Sequence, residues 1–224
     1  MSSSRPSPKV AGLGMALAGA LILVGGFLHP RANTAGEFDP TFAGMLADPK
    51  WETSHAVTLV GSVVLAACLT ALVRSRALSS DRRLRILGAI AAAGAVLASV
   101  EMIPHLFARS EAEEFLQGQG TPLIDLHLAL QAVSTPVLGF GVAALALVGA
   151  RTRAVGHPLA AVLGVAGGVA FGLAGPAILV LRDPSVAPLF IGAEGIAVWL
   201  VASGIRLARR SQTEGEISPA TATS

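Results

Sequence analysis

Residues 86–107 read ILGAIAAAGAVLASVEMIPHLF, with Glu101 the only carboxylate and no lysine or arginine. At 1.5 Å per residue this stretch is long enough to cross about 30 Å of hydrocarbon as a helix. The core helices of soluble domains are usually shorter, and few are apolar on every side. The stretch therefore reads as a membrane span, and its single acid and its histidine, His105, become the residues to explain.

Working outward, the same pattern recurs at residues 10–28, 55–73, 126–150, 159–181 and 186–205. The whole chain of 224 residues is 53% hydrophobic and only 13% charged, with a mean hydropathy of +0.67. A soluble domain needs more polar surface than that to cover itself. The expected fold is all-α: a polytopic membrane protein whose six transmembrane helices form one antiparallel bundle over residues 10–210. The apolar run at 10–28 exceeds the length usual for a signal peptide and is read as the first span.

Charge gives the orientation. With the N-terminus in the cytoplasm, twelve of the sixteen basic residues fall in cytoplasmic segments, and only Arg31, Lys50, Arg109 and Arg182 fall outside. That bias follows the positive-inside rule and predicts cytoplasmic N and C termini. All basic residues but Lys9 and Lys50 are arginine, and Ala, Gly and Val abound, a composition expected of a GC-rich bacterium and its plasma membrane. The basic groups read as topology determinants and not as a nucleic-acid site, since no aromatic residues interleave them. The sole cysteine, Cys68, lies inside the second span and cannot form an intrachain disulfide.

Residues 1–9 and 211–224 are rich in Ser, Pro and Thr and are expected to be disordered cytoplasmic tails. The longest connection, residues 30–54, carries Phe38, Phe42, Met45 and Leu46 at helical spacing after Asp39-Pro40. It predicts a short amphipathic helix at the outer surface, read as an interfacial anchor in preference to a lid, with Trp51 at the interface. Gly164, Gly168 and Gly172 recur every fourth residue, a face that allows close helix contact with another span or with a second copy in a homo-oligomer.

The chemistry-bearing residues cluster by depth. His29 ends the first span, His55 begins the second, His105 lies near the end of the third and His127 near the start of the fourth. In an antiparallel bundle all four arrive at the outer end. Glu101 precedes His105 by four residues and shares its helix face one turn deeper; Gln131 has the same spacing from His127, and Asp125 adds an oxygen nearby. Imidazole is the commonest protein ligand for transition metals, and helix bundles converge such ligands on one point. The expected site is thus an outward-facing cluster of His29, His55, Glu101, His105 and His127, binding either haem b through its histidines or a bare transition metal, iron or copper. Electron transfer or redox sensing, with a redox partner or larger membrane complex, is the activity that such a site implies.

Glu194, within the sixth span, is expected to face protein or water, because a carboxylate facing lipid is costly. It joins Glu101 as a candidate proton relay. The histidines and acids together leave a proton-coupled transporter or permease subunit as an alternative, and a non-catalytic membrane scaffold as another. His157, in a Gly-His-Pro turn, reads as a turn residue. The chain has no HExxH, CxxC or CxxCH pattern, no phosphate-binding loop, no dinucleotide fingerprint and no serine-hydrolase elbow, so none of those chemistries has support in the sequence.

Overall fold

A computed structural model describes residues 6–78 and 81–217, with the side chains of Arg76 and residues 212–217 left aside. Among the described residues eight α-helices run in the order α1 (Pro8–Leu28), α2 (Phe38–Ala47), α3 (Trp51–Arg74), α4 (Arg82–Phe107), α5 (Ala112–Leu116), α6 (Pro122–Arg151), α7 (Pro158–Leu181) and α8 (Gly192–Ile217). Six of the helical segments are long and apolar enough to cross a membrane. They include α1, α3, α4, α6 and α7; the sixth runs from Pro184 into α8. Their outer faces carry apolar side chains such as Phe27 (82% exposed), Leu159 (77%) and Val180 (77%). That much exposed apolar surface is what helices in contact with hydrocarbon require and what a soluble monomer avoids.

The helix starts follow local chemistry. Pro occupies the first turn of α1, α6 and α7, where its missing N–H has no intrahelical partner to lose. Asp81 caps α4 by accepting from the Arg83 and Leu84 amides. His157 caps α7 through Nδ1, which accepts from the Leu159 amide at 3.2 Å, so its turn role is a helix cap. α8 continues to Ile217, into the segment expected as a tail, and α1 begins at Pro8. The rest of both expected tails, residues 1–5 and 218–224, lies outside the described residues.

The long helices form a closed ring. Each packs on its neighbour in the chain, α1 on α3, α3 on α4, α4 on α6, α6 on α7 and α7 on α8, and α1 then meets α8 to complete the circle. Small residues make the seams tight. A Cβ on Gly168 would lie 2.5 Å from the Gly139 carbonyl oxygen, and one on Gly139 would lie 2.4 Å from that of Gly168, so α6 and α7 touch backbone to backbone there. Gly164 packs against Ala146 and Trp199, and Gly172 against Phe140. The four-residue glycine row is therefore a seam within the chain.

The sixth span departs from the sequence reading at its start. Pro184–Ile191 is 3₁₀ helix, and α-helix begins only at Gly192. Pro188 lacks the amide hydrogen that an α-helix begun at Pro184 would donate to the Pro184 carbonyl. Glu194 consequently sits in the first turn of α8 and not two turns inside a helix, where the unpaired amides and the helix dipole favour an acid.

Candidate metal centre

At the end of the ring where α1 and α4 finish and α3 and α6 begin, four histidines and Glu101 come together. His105 is the hub. Its ring centroid lies 3.7 Å from that of His127 and 4.2 Å from that of His55, and His55 is 4.9 Å from His29. Two sets of groups have ligand atoms all within 4.8 Å of one another: His29, His55 and His105, and Glu101, His105 and His127. The structure thus brings together all five residues expected at the outer end of the first four spans. Asp125 is exposed and stands apart from them, while Gln131 is buried one turn below His127.

Orientation of the rings follows from what holds each Nδ1. His55 Nδ1 lies 2.6 Å from the Trp51 carbonyl oxygen, and His29 Nδ1 lies 2.6 Å from that of Pro30. A carbonyl only accepts, so in both residues Nδ1 carries the hydrogen and Nε2 keeps its lone pair. His55 Nε2 is buried with no hydrogen-bond partner among the described residues. A buried imidazole lone pair without a donor is costly unless something else occupies it. This is the arrangement that metal-binding histidines use, with an oxygen on one ring nitrogen fixing the tautomer and the other nitrogen free for the ion. Burial lowers the pKa of His29, against the opposing pull of the Pro30 carbonyl, which favours the neutral ring that ligation needs.

Glu101 links the two halves of the cluster. Its Oε1 lies 2.6 Å from His127 Nδ1 and 3.1 Å from His105 Nδ1. Only the first contact has hydrogen-bond geometry, since His105 Nδ1 remains without a hydrogen-bond partner among the described residues. The bond to Glu101 again leaves the Nε2 of His127 available.

The cluster is buried, which corrects the outward-facing arrangement expected from depth alone. His127 is 1% exposed, His55 2%, Glu101 4% and His105 9%. The cover is α2, which the sequence suggested as an interfacial anchor. Its Phe38, Phe42 and Leu46 are turned inward, and the Phe42 ring lies parallel to His127 with centroids 6.3 Å apart. Arg182, at the end of α7, holds this cover from outside: its guanidinium is 2.6 Å from Asp39 and sits 4.7 Å over the Phe38 ring.

Trp51 does more than anchor an interface. It is fully buried, its carbonyl orients His55, and its indole N–H donates to the His105 carbonyl at 3.2 Å. The four-residue spacing between Trp51 and His55 was the available signal. Glu111 is a further residue that sequence reasoning missed; it caps the start of α6 by accepting from the Leu123 and Ile124 amides at 3.0 Å, fixing the helix that carries His127.

A partly open cavity of about 360 Å³ runs past the cluster, bordered by Thr34, Phe38, Phe42 and Met45 on one side of the histidines and by Leu65, Leu138 and Ile196 on the other. Glu194 lines it from α8, half-buried, with its carboxyl laid against Gly26 of α1. It lines both this cavity and an apolar groove of Leu23, Val24, Phe27 and Leu28 on the surface, apart from the five-residue cluster. No family model matches this chain, and no curated protein or solved structure matches it either. The functional reading accordingly rests on the residues themselves.

Proposed function

We propose that the buried cluster binds a transition metal ion, iron or copper, held by Nε2 of His29 and His55 together with His105, and that the centre serves electron transfer or redox sensing in a bacterial plasma membrane. The observation that carries this reading is the pair of imidazoles whose Nδ1 atoms are both taken by backbone carbonyls, with His55 Nε2 buried and unpartnered beside His105. Metal–nitrogen bonds of about 2.0–2.1 Å place the ligand nitrogens of a tetrahedral site about 3.4 Å apart. One ring nitrogen from each of His29, His55 and His105 already lies within 4.8 Å of the others, which leaves only a small closure. Glu101 and His127 supply a carboxylate and a fourth imidazole beside the ion. The set of Glu101, His105 and His127 also has the two-histidine, one-carboxylate composition that suits non-haem iron.

A bare ion suits the site better than haem b. A haem needs a flat slot between two facing imidazoles, and here the rings stack on or abut one another with centroids 3.7–4.9 Å apart. Bound metal is the direct test. Protein purified in detergent should carry about one equivalent of iron or copper by elemental analysis, and His105→Ala should abolish it. His157→Ala, at the opposite end of the ring, should leave it unchanged. Full metal occupancy in His105→Ala would refute the site.

A further inference from the structure

We propose that the cavity beneath the cluster binds a lipid-soluble ring compound bearing carbonyl or hydroxyl oxygens, of the quinone type, which enters from the bilayer between α1 and α8. The inference extends the metal reading by naming the molecule that would meet the metal, and it rests on features of the cavity that the metal site does not use.

Size comes first. An apolar cavity of about 150 Å³ in a protein interior admits benzene. A cavity of about 360 Å³ is more than twice as large and accommodates two fused rings. The part below the histidines is apolar, lined by Leu65, Ala98, Met102, Leu138, Phe171 and Ile196, and the rest extends past the cluster to Phe38, Phe42 and Met45 of α2.

Two polar atoms in this apolar wall have no assigned partner. Ser134, 1% exposed on α6, belongs to the wall of the cavity, and its hydroxyl is buried with no hydrogen-bond partner among the described residues. It lies seven residues beyond His127, about 10 Å deeper at 1.5 Å per residue. Glu194 Oε2, on α8, is also buried without a hydrogen-bond partner. Buried polar atoms are expected to be paired, and two left open around one cavity call for a ligand with oxygens of its own. A plain hydrocarbon would leave both unsatisfied.

Entry is marked by the seam between α1 and α8. In its inner half the two helices meet closely, Gly12 against the Gly204 carbonyl and Gly19 against the Ala197 carbonyl. At Gly26 the nearest neighbour is instead the Glu194 carboxyl, a side chain that can swing. On the outer side of that point an apolar groove of Leu23, Val24, Phe27 and Leu28 faces the surroundings, and Arg31 and Glu194 line both groove and cavity. A lipid-soluble molecule thus has an apolar approach and one side chain to displace.

The test uses the full chain in lipid nanodiscs and the naphthoquinone menadione, dialysed to equilibrium against protein-loaded and empty discs. Saturable uptake above the empty discs is expected, and uptake equal to them overturns the proposal. The parent hydrocarbon 2-methylnaphthalene, which has the rings and no oxygens, should bind at least about tenfold more weakly, because it leaves the buried polar atoms unpaired; equal binding of the two removes the role given to Ser134 and Glu194. Ala98→Phe and Ser134→Leu fill the cavity from two helices, and each should weaken menadione binding by about tenfold or more while metal content holds. Wild-type affinity in both would also overturn it. Menadione binding without metal would leave this inference standing and sink the metal reading, and metal without menadione binding would do the reverse.

Discussion

Glu101→Gln separates the carboxyl's chemistry from its shape. The amide is isosteric, so the packing of α4 against α6 is kept, and one oxygen can still accept from His127 Nδ1, now 2.6 Å from Glu101 Oε1. What is lost is the second carboxyl oxygen of a residue within reach of both His105 and His127 and only 4% exposed. Removing a group that orients metal-binding histidines typically lowers metal affinity about 10- to 100-fold, or about 1.4–2.8 kcal/mol at 1.4 kcal/mol per factor of ten. Competition against a chelator of known affinity measures the change, and circular dichroism checks that the helices persist. His127→Ala should behave differently, because it strips a buried acid of its hydrogen-bond partner and destabilises the fold by about 1–3 kcal/mol. Adding Glu101→Gln to that variant should recover part of the loss. A folded Glu101→Gln protein with wild-type metal affinity, together with no recovery in the double variant, would refute the role given to this carboxyl.

Three further outcomes are expected. In a Cys68→Ala background, cysteines placed at Lys50 or Arg109 should react with an impermeant reagent on intact cells, and those at Arg83 or Arg151 should not; the reverse pattern would invert the topology. Gly168→Leu should collapse the yield of folded protein, since the Gly139 carbonyl leaves no room for a side chain, and a normal thermal midpoint would contradict the backbone contact between α6 and α7. Arg182→Ala should speed metal release to a chelator by loosening α2 while changing stability by less than about 1 kcal/mol, as an exposed ion pair contributes little; an unchanged release rate would mean that α2 is held by its buried aromatic face alone.

The contrast between what sequence revealed and what it hid has a physical origin. Span length and apolar character are local properties, so the long helices at residues 86–107 and elsewhere were legible with shifts of a few residues at their ends, except that α8 runs twelve residues past the expected end at 205. Depth was legible as well, because alternating helices place His29, His55, His105 and His127 at one end without any tertiary information. Rotation about each helix axis was not, since one residue turns a side chain by about 100 degrees; only the four-residue spacing of Glu101 and His105 hinted at a common face. The cover was misread because Phe38, Phe42 and Leu46 suit a lipid interface and a protein interior equally well. The position of Glu194 in the first turn of α8 was hidden because the segment from Pro184 to Ile191 is 3₁₀ helix, a difference that hydropathy does not register.

The closed ring also fixes the order in which the centre is assembled. Every proposed metal ligand lies between His29 and His127, on α1, α3, α4 and α6, which form a continuous arc of the ring. The remaining wall, α7 and α8, comes later in the chain. A polypeptide made from its N-terminus therefore holds its full set of histidines while one side of the interior still stands open, and an ion can reach them before α8 docks on α1. On the proposed metal reading, an ion would meet this open side most easily during synthesis, and the docking of α8 on α1 would complete the wall around it.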